Sequence, residues 1–189
     1  MNAAITIEAP GGLARLDTAA TTDWGRVDFE AKELRQVLGS YPTGVAIVVT
    51  RTPEGRNVGL TINSFASLSL DPPLVLWSLV RHSPNLEVFR DCRHFTINVL
   101  GSDQEALARR FANPTIVDKF EGVAVREAPE GVSALQGSVA TLVCSSDQQQ
   151  MAGDHLLLVG RVLRTDGAPA DPLVFHAGRF AALHAPLAA

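Results

Sequence analysis

The sequence has few of the features that mark several large classes of protein. Only two cysteines, Cys92 and Cys144, occur in 189 residues, and they lie far apart in apolar surroundings. This arrangement supports neither a disulfide framework nor a Cys-x-x-Cys metal pair, so we expect buried thiols in a reducing compartment. The five histidines form no His-Glu-x-x-His motif and no tight cluster with carboxylates. We therefore assign no metal ion to the chain.

Positive charge and long apolar runs are also scarce. Sixteen Lys and Arg face twenty Asp and Glu, a net charge of −4, without any basic block. Nucleic-acid binders carry a basic patch, so we exclude nucleic acid as a partner. The apolar run LVLWSLV is far shorter than the roughly 20 residues that span a bilayer, and the N-terminus lacks the pattern of a signal peptide. We expect a cytoplasmic protein that makes no membrane contact.

Several motifs for nucleotides and nucleophiles are missing as well. The sequence contains no Gly-x-Gly-x-x-Gly, no Gly-x-x-x-x-Gly-Lys-[Ser/Thr] and no internal repeat. A bound nucleotide would therefore not lie in a Rossmann pocket. Without a Gly-x-Ser-x-Gly or a local cysteine motif, the chain gives a hydrolase only weak support.

The length and the 46% of hydrophobic residues suit one domain with a sizeable core. Residues 1–25 mix Ala, Gly, Thr and Pro without a period, and we interpret them as a mobile tail. The domain is predicted to occupy residues 26–185.

Strand signals clearly outnumber helix signals. Helices are predicted from residue 28 to 38, after Ser83 and Pro84, and after a capping box of Ser102 and Glu105. Strands are predicted at 45–50, 58–63, 73–80, 94–100, 123–126, 138–145, 155–165, 173–176 and 179–184. The continuous apolarity of 73–80 predicts burial on both faces. Short turns between many strands favour a mainly β, antiparallel barrel with flanking helices.

The stretch LTINSFASLSL, residues 60–70, places hydroxyls and an amide on one face of a strand and mostly apolar residues on the other. The polar face carries no charged residue, which suits a bound ligand better than bulk water. A hydroxyl-rich edge or a set of turns explains the pattern equally well.

A second polar feature is GDHLLLVGRV, in which a Gly-Asp turn delivers His155 to the rim of an apolar strand. His155 either closes a hairpin or faces a ligand and supplies a hydrogen bond or a proton. Arg81 with Ser83 is a candidate phosphate site, and Lys119 and Arg179 are further candidate cations. Each of these charges is equally explained as a solvated surface residue.

Seven stretches stand out in order along the chain: YPTGVAIVVT, GLTINSFASLSLDPPLVLWSL, FTINVL, ARRFA, KFEGV, GDHLLLVGRV and PLVFHAGRF. Together they closely resemble the short-chain NAD(P)H:flavin oxidoreductases, the reductase components of two-component flavin-dependent monooxygenases. The resemblance covers residues 29–181. It implies an FMN-binding split β-barrel with Greek-key-like connections, and a homodimer that binds FMN or FAD at its interface.

Carried over residue by residue, the resemblance implies a flavin site in three parts. Pro42, Thr43 and Gly44 border the ring system. Thr61, Asn63, Ser64 and Ser67 bond the ring edge, the ribityl chain or the phosphate, and Ser83 joins the phosphate site. Lys119 and Phe120 lie near the flavin, and Arg179 and Phe180 lie close to the ring or the incoming nicotinamide. His155 falls on the family's histidine for nicotinamide binding and hydride-transfer geometry.

The function implied is hydride transfer from NADH or NADPH to FMN or FAD, with reduced flavin passed to a partner monooxygenase. Two alternatives stay open: a split-barrel flavoprotein oxidase that acts on its own substrate, and a flavin-binding module without turnover. The absence of any convincing acid-base pair suits a reaction in which the cofactor makes the bonds.

Overall fold

The computed structural model describes residues 29–183. The predicted tail, the domain limits at residues 26 and 185, and His184 lie outside them. The elements, in chain order, are α1 (Ala31–Gly39), β1 (Thr43–Gly44), β2 (Ala46–Arg51), β3 (Asn57–Ile62), β4 (Ala66–Leu70), β5 (Pro73–Val80), α2 (Leu86–Asp91), β6 (His94–Val99), α3 (Glu105–Ala112), β7 (Val125–Glu127), β8 (Ser133–Leu135), β9 (Ala140–Ala152), β10 (His155–Gly167), β11 (Val174–His176) and β12 (Arg179–Ala181).

Strand pairing in the described residues is antiparallel throughout. Seven strands form the main sheet in the order β3-β2-β6-β9-β10-β5-β4, and smaller sheets have the orders β1-β11-β12 and β7-β8. The prediction of a mainly β, antiparallel fold with flanking helices is confirmed. The strands β1 and β8 were missed, because two or three residues are too short to show a period.

The sheet separates two buried clusters of side chains, and β2 contributes to both. Its even residues, such as Val48, pack with Trp77, Phe89 and Phe95, and we name this group the Trp77 cluster. Its odd residues, such as Ile47, pack with α3 residues, and we name this second group the Phe111 cluster. The alternation of a strand thus gives β2 two buried faces.

The strand β5 differs from its prediction. Val75, Trp77 and Leu79 are buried, whereas Leu74, Leu76 and Ser78 are only half-buried. Burial on both faces was therefore wrong, because within residues 29–183 one face of β5 is buried and the other is only half-buried or exposed.

The segment 60–70 is not one strand either. The break between β3 and β4 spans residues 63–65, so the two-faced pattern does not continue. Leu68 and Leu70, predicted on the apolar face, are exposed. A turn with a cis Asp71–Pro72 peptide bond then leads into β5.

Both predicted helix caps were misplaced. The helix α2 begins at Leu86, and Ser83 Oγ accepts a hydrogen bond from the Asn85 amide (3.2 Å) in the turn before it. At α3, Gln104 rather than Ser102 is the N-cap residue, and Gln104 Oε1 accepts a hydrogen bond from the Gly101 amide (2.9 Å). At each site two polar residues lie two positions apart, Ser83 and Asn85 before α2 and Ser102 and Gln104 before α3. The local sequence pattern does not decide which of the two is the N-cap residue.

The helix α1 has no buried residue, and its apolar side chains Leu34, Val37 and Leu38 are exposed. No helix within residues 29–183 is long and apolar enough to cross a membrane.

Candidate functional site

The helix α3 holds together three residues of the predicted flavin site. Thr61 Oγ1, on β3, donates a hydrogen bond to the Ala108 carbonyl oxygen (2.7 Å). Lys119 Nζ donates to the Phe111 carbonyl oxygen (2.7 Å), and burial lowers the pKa of Lys119. The ring of Phe120 packs edge to face on Phe111, with centroids 4.9 Å apart. One helix thus positions residues from two segments that lie about 60 positions apart.

The loop that carries Lys119 and Phe120 is also tied to α3. Arg110 Nη2 donates hydrogen bonds to the carbonyl oxygens of Asp118 (3.1 Å) and Glu121 (2.7 Å), on either side of the pair. Asp118 Oδ1 accepts a hydrogen bond from the Phe120 amide (2.9 Å). The loop therefore has a defined conformation although it contains no helix or strand.

Close packing of β3 against these aromatic rings requires Gly59. A Cβ atom at this position would lie 2.8 Å from Phe111 Cε1 and 3.1 Å from Phe120 Cζ. Both distances are shorter than ordinary van der Waals contacts. A glycine at position 59 lets the two rings lie directly on the strand.

The three-stranded sheet brings the two ends of the predicted site together. Thr43 and Gly44 pair with Phe175 and Val174 of β11, and Phe180 of β12 pairs with Phe175 from the other side. The hydroxyl of Thr43 is buried and has no hydrogen-bond partner within residues 29–183. Open space lies where a Gly44 side chain would be. Pro42, just before β1, and Arg179, on β12, are both exposed.

Arg109 connects this sheet to α3. Its guanidinium carbon lies 4.8 Å from the centroid of the Phe180 ring, and its Nη2 forms an ion pair with Glu105 (2.7 Å). A cation over an aromatic face is attractive. Arg109 lies within the motif ARRFA and had no predicted role, because a cation-π contact between distant segments leaves no local signal in the sequence.

A second group of predicted residues surrounds the end of β5. Ser64 Oγ donates to the Ser78 carbonyl oxygen (3.1 Å) and accepts from the Ser78 amide (3.0 Å). His155 is paired with Val80, and the Ser83 amide donates to the Val80 carbonyl oxygen (2.9 Å). Ser64, Ser83 and His155 are thus brought to one end of one strand.

The turn before His155 has the predicted form. Ala152 pairs with His155 across a two-residue hairpin, and Gly153 has a φ of 60°. Glycine at the first of two turn residues, followed by Asp154 with an ordinary φ, is typical of a type II′ hairpin. Asp154 Oδ1 lies 2.7 Å from His155 Nδ1, and this hydrogen bond lowers the pKa of Asp154.

The two groups are adjacent in the chain, because Thr61 belongs to the first and Ser64 to the second, with the exposed Asn63 between them. Ser67 lies apart. It pairs with Val75, five residues before Val80 and about 16 Å away along β5 at the usual rise per residue. Arg81 is exposed, and its backbone amide donates to the Asp154 carbonyl oxygen (2.8 Å).

The cysteines lie outside these groups and are free thiols, Cys144 buried and Cys92 half-buried. Burial raises the pKa of both, to about 12 for Cys144. Within residues 29–183, no three His, Cys, Asp or Glu side chains are grouped so that they could hold a metal ion.

The predicted site residues are hydroxyls, cations and aromatic rings carried by an antiparallel β fold, a set of side chains typical of proteins that bind a small polar and aromatic ligand. The sequence pattern of the flavin reductase like domain matches residues 38–184. The chain belongs to this family, and the resemblance to flavin reductases is confirmed.

Named relatives and a solved structure agree with this assignment. FMN reductase (NADH) SmoA of Agrobacterium fabrum is 41% identical over 150 residues, which cover 79% of this chain and 84% of the relative. The reductase component of the flavin-dependent trigonelline monooxygenase of Acinetobacter baylyi is 36% identical, over 79% of this chain and 48% of the relative. The chain therefore spans about half the length of that second protein.

The structural comparison extends over the same region. The Streptomyces globisporus C-1027 NADH:FAD oxidoreductase SgcE6, in complex with NAD and FAD fragments, superposes with a TM-score of 0.76. The two proteins are 34% identical over 82% of this chain and 93% of the other.

Proposed function

We propose that this protein is an NAD(P)H-dependent flavin reductase that transfers a hydride from NADH or NADPH to FMN or FAD and supplies the reduced flavin to a partner monooxygenase. One observation carries the proposal. The residues implied by the resemblance, apart from Ser67, lie on three neighbouring parts of the structure, namely α3, the edge of β1 and the end of β5. Relatives that are named as flavin reductases support the same activity.

The side chains fit a flavin chemically. The buried Thr43 hydroxyl lacks a partner within residues 29–183, and the missing side chain of Gly44 leaves open space beside it. A buried hydroxyl without a hydrogen bond is costly, and a polar ring edge would satisfy it. Phe120 and Phe180 offer apolar surface, and Lys119 and Arg179 offer positive charge for a phosphate or a reduced ring.

A bound flavin supplies the hydride acceptor, and the protein supplies position and charge. We assign the nicotinamide nucleotide to His155. The Asp154 carboxylate accepts a hydrogen bond from Nδ1 of His155, and this orients the ring and leaves Nε2 for the ligand. Holding the two reactants in a fixed geometry is the largest contribution that such a site makes, since no proton transfer is required of the protein.

We also propose the finer parts of the architecture that the resemblance implies. The Ser64–Ser78 hydrogen bonds connect the segment after β3 to β5, and β3 and β4 are the two edges of the main sheet. This connection supports a split β-barrel with Greek-key-like connections. The exposed apolar residues Leu68 and Leu70, two positions apart on β4, support a homodimer, because exposed apolar side chains that lie together are costly in water. The cytoplasmic location stays a prediction from sequence.

The test is the rate of NADH or NADPH oxidation at 340 nm with added FMN or FAD, compared between the wild type and His155→Ala. We expect turnover that requires free flavin, and a rate at least tenfold lower in the variant. His94→Ala is the matched control, since His94 lies on β6 beside Ser145, away from the end of β5.

The other outcomes separate the alternatives. Turnover of an organic substrate with flavin that stays bound would indicate the oxidase. No oxidation with any of the four cofactor pairs would reject the reductase and favour a flavin-binding module. An equal loss in His155→Ala and His94→Ala would remove His155 from the nicotinamide site.

A further inference from the structure

A cleft of about 620 Å³ borders the predicted flavin residues, and we name it the β3 cleft. Its walls are the start of β3, the turn before α2 and the loop after α3. The residues that line it include Arg56, Asn57, Gly59, Asn85, Lys119 and Phe120. The volume lies within the range of about 300–1,000 Å³ that is common for small-molecule sites.

The β3 cleft is continuous with the predicted flavin site at three places. Lys119 and Phe120 belong to both. Gly59 lies two residues before Thr61 on the same face of β3, and Asn85 lies two residues after Ser83. A ligand whose phosphate lies near Ser83 and Lys119 therefore ends at the mouth of the cleft.

The charges that line the cleft favour an anionic group. Arg56 and Lys119 contribute two cations, and Asp118 is the one carboxylate among the residues that line it. Arg56 is exposed and forms no ion pair within residues 29–183. Glu54, in the same turn as Arg56, offsets part of this positive charge. The pKa of its carboxyl group is lowered, mainly by a hydrogen bond with Thr52 and also by Arg56, so the group stays negatively charged.

The remaining groups favour a planar polar ring. Asn85 lines the cleft, and its side-chain amide makes no hydrogen bond within the described chain. An amide both donates and accepts, which suits the edge of a purine base. Phe120 adds an aromatic ring to the same cleft. Two cations, a free amide and an aromatic ring together match a diphosphate joined to adenosine.

We propose that the β3 cleft binds the adenosine diphosphate half of FAD, so that the protein holds FAD more tightly than FMN. This inference rests on the proposed function and extends it to the choice of flavin. FMN ends at its phosphate and makes no use of the cleft. The adenosine diphosphate half of NADH has the same chemistry, but Arg56 lines the cleft together with Lys119 and Phe120, two predicted flavin residues, whereas His155 does not line it.

The test compares the Kd values of FAD and FMN, measured by quenching of flavin fluorescence without any nicotinamide nucleotide. In Arg56→Glu we expect FAD to bind at least tenfold more weakly and FMN to change less than twofold. Arg56→Gln, which removes the charge without reversing it, should show a smaller loss in the same direction. Arg35→Glu makes the same charge change on an exposed residue of α1 and should alter neither flavin. ADP alone should displace FAD and leave FMN bound.

Three results would overturn the inference: an equal loss of FAD and FMN binding, no change in either, or a raised KM for NADH or NADPH at constant flavin affinity. The last result would assign the cleft to the nicotinamide nucleotide. Failure of the proposed function is a separate outcome, because it appears as absent NAD(P)H oxidation while the two flavin Kd values are still measurable.

Discussion

The two buried clusters lie on opposite faces of β2 and differ in what surrounds them. The Trp77 cluster is made of strand residues together with Phe89 of α2, and none of its members is a predicted site residue. The Phe111 cluster has Phe120 and Phe180 packed against it, and both belong to the predicted flavin site. We therefore predict that one face of the sheet serves stability alone, whereas the other also serves ligand binding.

The largest loss of stability is expected when Trp77 is removed from the Trp77 cluster. Trp77 is fully buried and packs edge to face on Phe89 and Phe95, with centroids 5.2 Å and 5.9 Å away. Trp77→Ala should lower the free energy of unfolding by about 3–5 kcal/mol, the usual loss for a large aromatic residue. Guanidinium denaturation followed by circular dichroism measures it.

Trp77→Phe is the control for this change. It keeps an aromatic ring and removes an indole nitrogen that has no hydrogen-bond partner within residues 29–183. Its loss should be clearly smaller than that of Trp77→Ala. Losses of equal size would show that ring packing is not what stabilises the cluster.

Two glycines give a matched comparison between the clusters. A Cβ atom at Gly160 would lie 2.5 Å from Phe95 Cζ in the Trp77 cluster, and one at Gly59 would lie 2.8 Å from Phe111 in the other. Alanine at either position should cost about 1–3 kcal/mol of stability through overpacking. Only Gly59→Ala should also weaken flavin binding, by several-fold, because it displaces Phe120.

Thermal denaturation and flavin titration of both glycine variants test this separation. If Gly160→Ala weakened flavin binding as much as Gly59→Ala, the two faces would not be functionally distinct.

The smallest expected effect concerns the contact between β3 and α3. Thr61→Val removes the hydrogen bond to the Ala108 carbonyl oxygen and keeps the shape of the side chain. We expect a loss of about 1 kcal/mol in stability, together with a modest rise in flavin Kd. Thr61→Ser retains the hydroxyl and should preserve flavin binding. A rise in Kd that serine does not prevent would show that the methyl group, not the hydroxyl, is required.

Local patterns predicted the strands and the hairpin before His155 well. The β-branched run at 45–50 became β2, and Gly153 with Asp154 formed the expected two-residue turn. The polar segment at 146–152 was not predicted as strand, yet β9 continues to Ala152, because β10 pairs with it along its whole length. Pairing with a neighbour overrode the weak strand propensity of glutamine there.

The sequence by itself determined a mainly β, antiparallel fold, a reductase-like motif order and the set of residues worth testing. Tertiary structure decided that Thr61, Lys119 and Phe120 meet at α3, that Arg109 lies over Phe180, and that a cleft opens beside them. The physical reason is that alternation along a strand shows which residues share a face, but not which distant segment covers that face. Contacts between residues 50 or more positions apart exist only once the sheet has formed.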